Sequence, residues 1–228
     1  MIQQLSLHNY QLYLFDFDGL LVNTEGIHYE AYRRMCANRG IELNWTFSQY
    51  CRIAHKDAET LKISLYAHVP QLVEQEPDWH VLYREKKEIV IDLLNQGSVH
   101  MMPGAEELLK ALQKANLARC VVTNSPEDQI RIIKDQNPIL ATIPVWITRE
   151  SYTLPKPHPE CYLTAIEKLG KPGDKAIGFE DTPRGVRALL STSAQPILVT
   201  QVDYPEIPQL IEDGALHAPC LPTPLYLE

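Results

Sequence analysis

Two aspartates one residue apart, Asp16 and Asp18, follow a short apolar run from Leu12 to Phe15. Alternate residues of a strand share a face, so both carboxylates can converge on one site where the strand frays. Gly19 then releases the backbone into a turn. Acids this close repel unless a cation or a shared proton sits between them. A second acidic pair, Glu180 and Asp181, ends another strand-like run and carries the same cost. Magnesium suits such a donor set, because it prefers oxygen ligands and keeps several waters. Thr123 and Asn124 end a third run and can donate hydrogen bonds to phosphate oxygens. Lys156 lies in Lys156-Pro157-His158-Pro159-Glu160, where two prolines stiffen the chain and fix the lysine. Each stretch also has a plain reading. Asp16 and Asp18 could be solvated acids at an Asp-Gly turn, Thr-Asn-Ser-Pro a helix cap, Lys156 a surface lysine, and Asp181 an acidic helix start.

The elements that must carry these residues are legible as alternating patterns. Leu12 to Phe15 reads as a buried strand. After Thr24 the pattern turns helical, with Ile27, Ala31, Tyr32, Met35 and Cys36 at helix spacing and Arg39-Gly40 closing the run. Leu61, Leu65 and Val69 form a second apolar stripe, ended by Pro70. Val81-Leu82, Ile89-Val90 and Leu93-Leu94 mark a third, so residues 26–97 read as an all-helical insertion. Gly97-Ser98 to Pro103-Gly104 is the return linker. Strands and helices then alternate. The strands are Arg119–Thr123, Pro144–Thr148, Lys175–Phe179 and Pro196–Thr200. The helices are Ala105–Ala115, Pro126–Lys134, Pro159–Leu169 and Pro183–Leu190. That order predicts an α/β core, a Rossmann-like doubly wound parallel sheet, built from residues 1–25 and 98–228 and interrupted by a helical domain, 26–97. Chemistry in open α/β sheets gathers at the carboxyl ends of the strands, where all four stretches lie. The tail carries Pro205, Pro208, Pro219, Pro222 and Pro224 and is expected to wrap the surface irregularly.

The whole chain sets bounds on function. At 228 residues, with 45% hydrophobic and 22% charged residues, it has the composition of a soluble globular protein. A formal net charge of −8 argues against a nucleic-acid partner, whose phosphates need a basic face. The five cysteines show no Cys-x-x-Cys spacing, which disfavours a disulfide scaffold or a zinc site. No 18-residue apolar stretch and no signal-like amino terminus is present, so no membrane association is expected and the cytoplasm is the default compartment.

The segment from Leu14 to Thr24 resembles motif I of the haloacid dehalogenase superfamily of aspartate-nucleophile phosphotransferases. Thr123 matches motif II, Lys156-Pro157-His158-Pro159-Glu160 motif III, and Gly178-Phe179-Glu180-Asp181-Thr182 with Gly185 motif IV. All four occur in family order, and the resemblance covers about residues 11–200. It implies a magnesium-dependent phosphomonoester hydrolase acting on a small phosphorylated metabolite. Asp16 would be the nucleophile and Asp18 the general acid and base, with Thr123 and Lys156 completing the catalytic set. Magnesium would be held by Asp16, the Asp18 backbone carbonyl, Asp181 and, through water, Glu180. Asp16, Gly19, Thr123, Asn124 and Lys156 would contact phosphate. The helical insertion would be a cap, and a monomer or weak homodimer is expected.

Within the family, Thr24-Glu25-Gly26-Ile27-His28 resembles the cap start of β-phosphoglucomutase-like proteins, where a matching histidine helps gate the general acid. His28 is equally well a polar residue on the first cap helix. Mutases carry a glycine and an arginine in the cap's substrate loop, where Arg52 and His55 stand here. Arg52, Lys56, Arg84, Lys86 and Lys87 could still furnish an anion site, although such charges usually mark a solvated helix face. The expectation is therefore hydrolysis. A sugar phosphomutase is the alternative, and a catalytically silent binding protein on the same fold is the second. Haloalkanoate chemistry is disfavoured, since it has no use for Asp18 or an acidic metal pair.

Overall fold

The computed structural model describes residues 4–97 and 99–225; the expected boundary at Ser98 and the outermost residues of both ends lie outside them. The chain divides into two compact units, Met1–Asn23 with His100–Glu228, and Thr24–Val99.

The first unit is an α/β core. In chain order its strands are β1 (Gln4–Ser6), β2 (Leu12–Phe15), β3 (Ala118–Val122), β4 (Val145–Ile147), β5 (Ala176–Glu180), β6 (Gln195–Val199), β7 (Leu216–Ala218) and β8 (Thr223–Leu225). Strands β2 to β7 form one parallel six-stranded sheet in the order β4-β3-β2-β5-β6-β7. The short strands β1 and β8 pair separately, also in parallel. The first central strand, β2, is buried along its whole length, so it reads as an unbroken apolar run. Leu12 and Leu14 pack with Cys120, Val122, Cys161, Tyr162, Ala165 and Leu189 in one cluster. On the alternate positions, Phe15 stacks on Phe179 with ring centroids 5.1 Å apart.

Register does the positioning. Phe15 lies opposite Val121 on one side and Phe179 on the other. The next residue along each strand therefore reaches one level: Asp16, Val122 and Glu180. The Asp16 amide continues the ladder by donating to the Phe179 carbonyl at 2.9 Å. Gly19 turns with φ 76°, a left-handed conformation that side chains resist. Its amide donates to the Val22 carbonyl at 2.8 Å. Val22 then bridges Met101 in antiparallel fashion. The Asn23 amide donates to the His100 carbonyl at 3.1 Å, and the His100 amide donates to Asn23 Oδ1 at 2.7 Å. The points where the chain leaves this unit and returns to it are thus hydrogen-bonded neighbours.

The second unit is all helical: α1 (Thr24–Ala37), α2 (Phe47–Ala54), α3 (Ala58–His68), α4 (Pro70–Gln75) and α5 (Trp79–Asn95). The stripe Ile27, Ala31, Tyr32, Met35 and Cys36 is the buried face of α1. On α5 the buried face is Leu82, Lys86, Val90, Leu93 and Leu94. Pro70 does more than end α3. It opens α4, because the first helical position needs no backbone donor. Among the described residues, no helix is long and apolar enough to cross a membrane.

The remaining helices belong to the first unit: α6 (Ala105–Lys114), α7 (Glu127–Gln136), α8 (Glu160–Leu169), α9 (Pro183–Leu190) and α10 (Ile207–Glu212). The proline-rich tail departs from the irregular path expected for it. Pro208 sits in the first turn of α10, where its fixed φ favours a helix. Beyond it, β7 forms the edge of the main sheet and β8 pairs with β1. Prolines are tolerated at edge positions because no central ladder needs their donors.

Candidate active site

Three strand ends and one proline-stiffened loop converge around Asp16. Lys156 is 5% exposed, and its ammonium reaches three acceptors. They are Asp16 Oδ1 at 2.6 Å, the Val122 carbonyl at 2.7 Å and Glu180 Oε1 at 2.7 Å. An ammonium has three donors, so this set saturates it. Burial works against the charged lysine, but Asp16 and Glu180 outweigh it and raise the ammonium's pKa. Lys156 is therefore not the surface lysine of the plain alternative.

Asp16, Glu180 and Asp181 each place a carboxylate oxygen within 4.8 Å of the others. Burial pushes the Asp16 carboxyl well above the ordinary range. Glu180 and Asp18 push the same way, against the pull of Lys156. Asp181 is not a helix cap. Thr182 caps α9, its hydroxyl accepting from the Gly185 amide at 3.1 Å. Glu180 is 1% exposed and is held from behind: Tyr162 donates its hydroxyl to Oε1, and Thr182 Oγ1 lies 3.5 Å from Oε2.

The run after β3 gives the polar end of the site. Pro126 stands at the cap position before α7 and no side chain caps the helix, so the hydroxyls before it serve elsewhere. Thr123 Oγ1 donates to Asp18 Oδ2 at 3.2 Å, and Ser125 Oγ donates to the same oxygen at 2.5 Å. The Thr123 hydroxyl also accepts from the Ser125 amide at 2.9 Å. Asn124 turns Oδ1 to the Tyr152 hydroxyl at 2.5 Å, which leaves its amide nitrogen as the donor end. Ser125 and Tyr162 were not singled out by sequence reasoning. Ser125 lay hidden in a run that also fits a helix start, and Tyr162 in an apolar helix face.

The structure thus brings Asp16, Asp18, Thr123, Lys156, Glu180 and Asp181 together. His28, Arg52 and His55 belong to the helical unit. There His55 Nε2 lies 3.1 Å from Glu25 Oε2, and Lys86 Nζ lies 2.8 Å from His28 Nδ1. Burial would raise the Glu25 carboxyl, but His55, His28 and Lys86 together bring it down to about 2. Lys86, weighed with its neighbours as part of an anion site or of a solvated helix face, is buried on α5, with its ammonium 5.0 Å from the Tyr32 ring centre. Arg52, Lys56, Arg84 and Lys87 are exposed.

Comparison with known proteins adds family context to this geometry. The family model for haloacid dehalogenase-like hydrolases matches residues 13–199. The phosphorylated carbohydrates phosphatase of Thermotoga maritima is 26% identical over 205 residues, which is 89% of this chain and 91% of that protein. The validoxylamine A 7'-phosphate phosphatase of Streptomyces hygroscopicus is 29% identical over 182 residues, 78% of this chain and 80% of that protein. The solved β-phosphoglucomutase of Clostridium difficile superposes with a TM-score of 0.67 at 19% identity, covering 92% of this chain and 91% of that one, a likeness of fold.

Proposed function

The chain belongs to the haloacid dehalogenase-like hydrolase family, and from that premise we propose that it is a magnesium-dependent phosphatase of small phosphorylated metabolites. The observation that carries this reading is Asp16, buried between one ammonium and two further carboxylates at a strand end. The donor set tests well for a hard divalent cation. It is all oxygen and closely spaced, and burial with the neighbouring carboxylates opposes the charge on Asp16. Asp16, Asp181 and, through water, Glu180 would hold magnesium, which when bound supplies positive charge between carboxylate and phosphate.

The residues then divide the work. Asp16 attacks phosphorus and forms an aspartyl-phosphate, so one hard displacement becomes two easier ones. Asp18 gives a proton to the leaving oxygen and later takes one from the attacking water. Lys156 offsets charge on Asp16 and the phosphoryl oxygens, while Thr123 and Asn124 offer donors to those oxygens. Ser125 keeps Asp18 aimed. Ser125→Ala should lower kcat about 10-fold and leave KM and the melting temperature nearly unchanged, a part of what a general acid contributes. Steady-state kinetics with one good substrate checks this, and an unchanged kcat would remove Ser125 from the site.

The helical unit acts as the cap that selects the substrate. Hydrolysis is favoured over isomerisation because the cap's buried positive groups already have partners of their own. His55, standing where an arginine is expected, faces Glu25, and Lys86 faces His28. A mutase has to grip a bisphosphate while water is kept from the aspartyl-phosphate. An imidazole lacks the planar fork of an arginine and cannot grip phosphate bidentately. The test is a panel of sugar phosphates with magnesium, scored for inorganic phosphate and repeated with EDTA. Release that stops on chelation is the expected result. Conversion of β-glucose 1-phosphate to glucose 6-phosphate in the presence of glucose 1,6-bisphosphate, with little free phosphate, would overturn it in favour of a mutase.

A further inference from the structure

We infer that Tyr162 is a positioning residue for the divalent-cation centre, fixing Glu180 through its hydroxyl and confining Lys156 beneath its ring. This rests on the cation-dependent reading above and adds to it a residue outside the four sequence motifs. Tyr162 is fully buried on α8. Its hydroxyl has one visible purpose, to donate to Glu180 Oε1. Removing that donor leaves Glu180 Oε1 with Lys156 as its remaining partner, at a depth where water does not replace the lost bond. The Lys156 ammonium sits 4.8 Å from the Tyr162 ring centre, so the same residue touches both Lys156 and Glu180.

Lys156 is shared between Asp16 at 2.6 Å and Glu180 at 2.7 Å. While Tyr162 holds Glu180, the ammonium stays divided between them. If Glu180 swings away, the ammonium keeps Asp16 and the Val122 carbonyl, and Asp16 is left as its one carboxylate partner of the two. That lowers the negative charge Asp16 can offer to a cation or to phosphorus. It also scatters the three carboxylates that now lie within one ligand sphere. Groups that hold metal-binding carboxylates typically matter by 10- to 100-fold in affinity.

The experiment is direct binding of manganese ion to the whole chain, followed by electron paramagnetic resonance, with no turnover involved. Tyr162→Phe keeps the ring and its packing and loses only the hydroxyl. Its Kd should rise about 10-fold over the native chain, the lower end of that range. In a Glu180→Gln background the same substitution should change Kd by less than about 2-fold, since the partner charge is gone. A native Kd in Tyr162→Phe, or an equal effect in both backgrounds, would overturn the inference and leave the cation reading standing. A native chain that binds no manganese would bring down both. A second measurement needs no variant: magnesium added to the native chain should give a near-ultraviolet tyrosine difference band, and a flat difference spectrum counts against Tyr162.

Discussion

Asp16→Asn should lower turnover of any phosphomonoester substrate by at least about 10,000-fold, the scale on which loss of a nucleophile is felt. The amide keeps the shape and the acceptor oxygen but cannot form the acyl-phosphate bond. The fold should survive the change. Asp16 is placed by its backbone, whose amide donates to Phe179, and by β2, which is paired on both sides. Burial and two neighbouring carboxylates already oppose its charge, so a neutral side chain relieves repulsion there. Lys156 still keeps Glu180 and the Val122 carbonyl. Phosphate release and thermal melting, measured on the same preparation, check both halves. Near-native turnover in a sequence-verified variant would sink the covalent mechanism.

Gly185→Ala should damage the site from a position that bears no functional group. An added Cβ would lie 1.9 Å from both Cδ and Oε2 of Glu180 and 2.2 Å from Oε1. A glutamate end can usually move aside, but this one is held by Lys156 and Tyr162 and is 1% exposed. Alanine gains about 1 kcal/mol of helix propensity over glycine within α9. Overpacking of a tight core typically costs about 1–3 kcal/mol, and a contact this short puts the cost at the upper end. The variant should therefore melt lower and bind manganese at least about 10-fold more weakly, as expected when a carboxylate is moved out of its place. A variant that melts and binds like the native chain would show that Glu180 has room to yield.

Much of the sheet was readable because strands buried on both faces are unbroken apolar runs, and Leu12–Phe15 and Ala176–Phe179 are such runs. Helix α1 announced itself by the spacing of its buried face. The tail did not, because proline content suggests irregular chain while Pro208 in fact starts a helix. Pro70, read as the end of one helix, does follow the end of α3 and also starts α4. In the site, the acids were legible through their cost, since charges are rarely clustered at strand ends without a reason, and Lys156 through its two prolines and the match to motif III. Ser125 and Tyr162 were not, since a serine before a proline and a tyrosine among apolar residues are ordinary. Their meaning comes from a partner 107 residues away in one case and 18 in the other. Lys86 is the converse: a lysine on a helix reads as solvated, and only packing shows it beside His28.

The doorway at Asn23 and His100, where the chain leaves the sheet and comes back, has a consequence for diversification. Because the two backbones are hydrogen-bonded to each other there, everything from Thr24 to Val99 is a loop closed at its own base. The entropy of closing a loop grows only slowly, by about 0.6 kcal/mol for each doubling of its length. Helices can thus be lengthened, trimmed or exchanged inside that loop at almost no cost to the sheet that holds Asp16. The helical unit can vary in length and sequence while the strand that holds Asp16 keeps its place in the sheet.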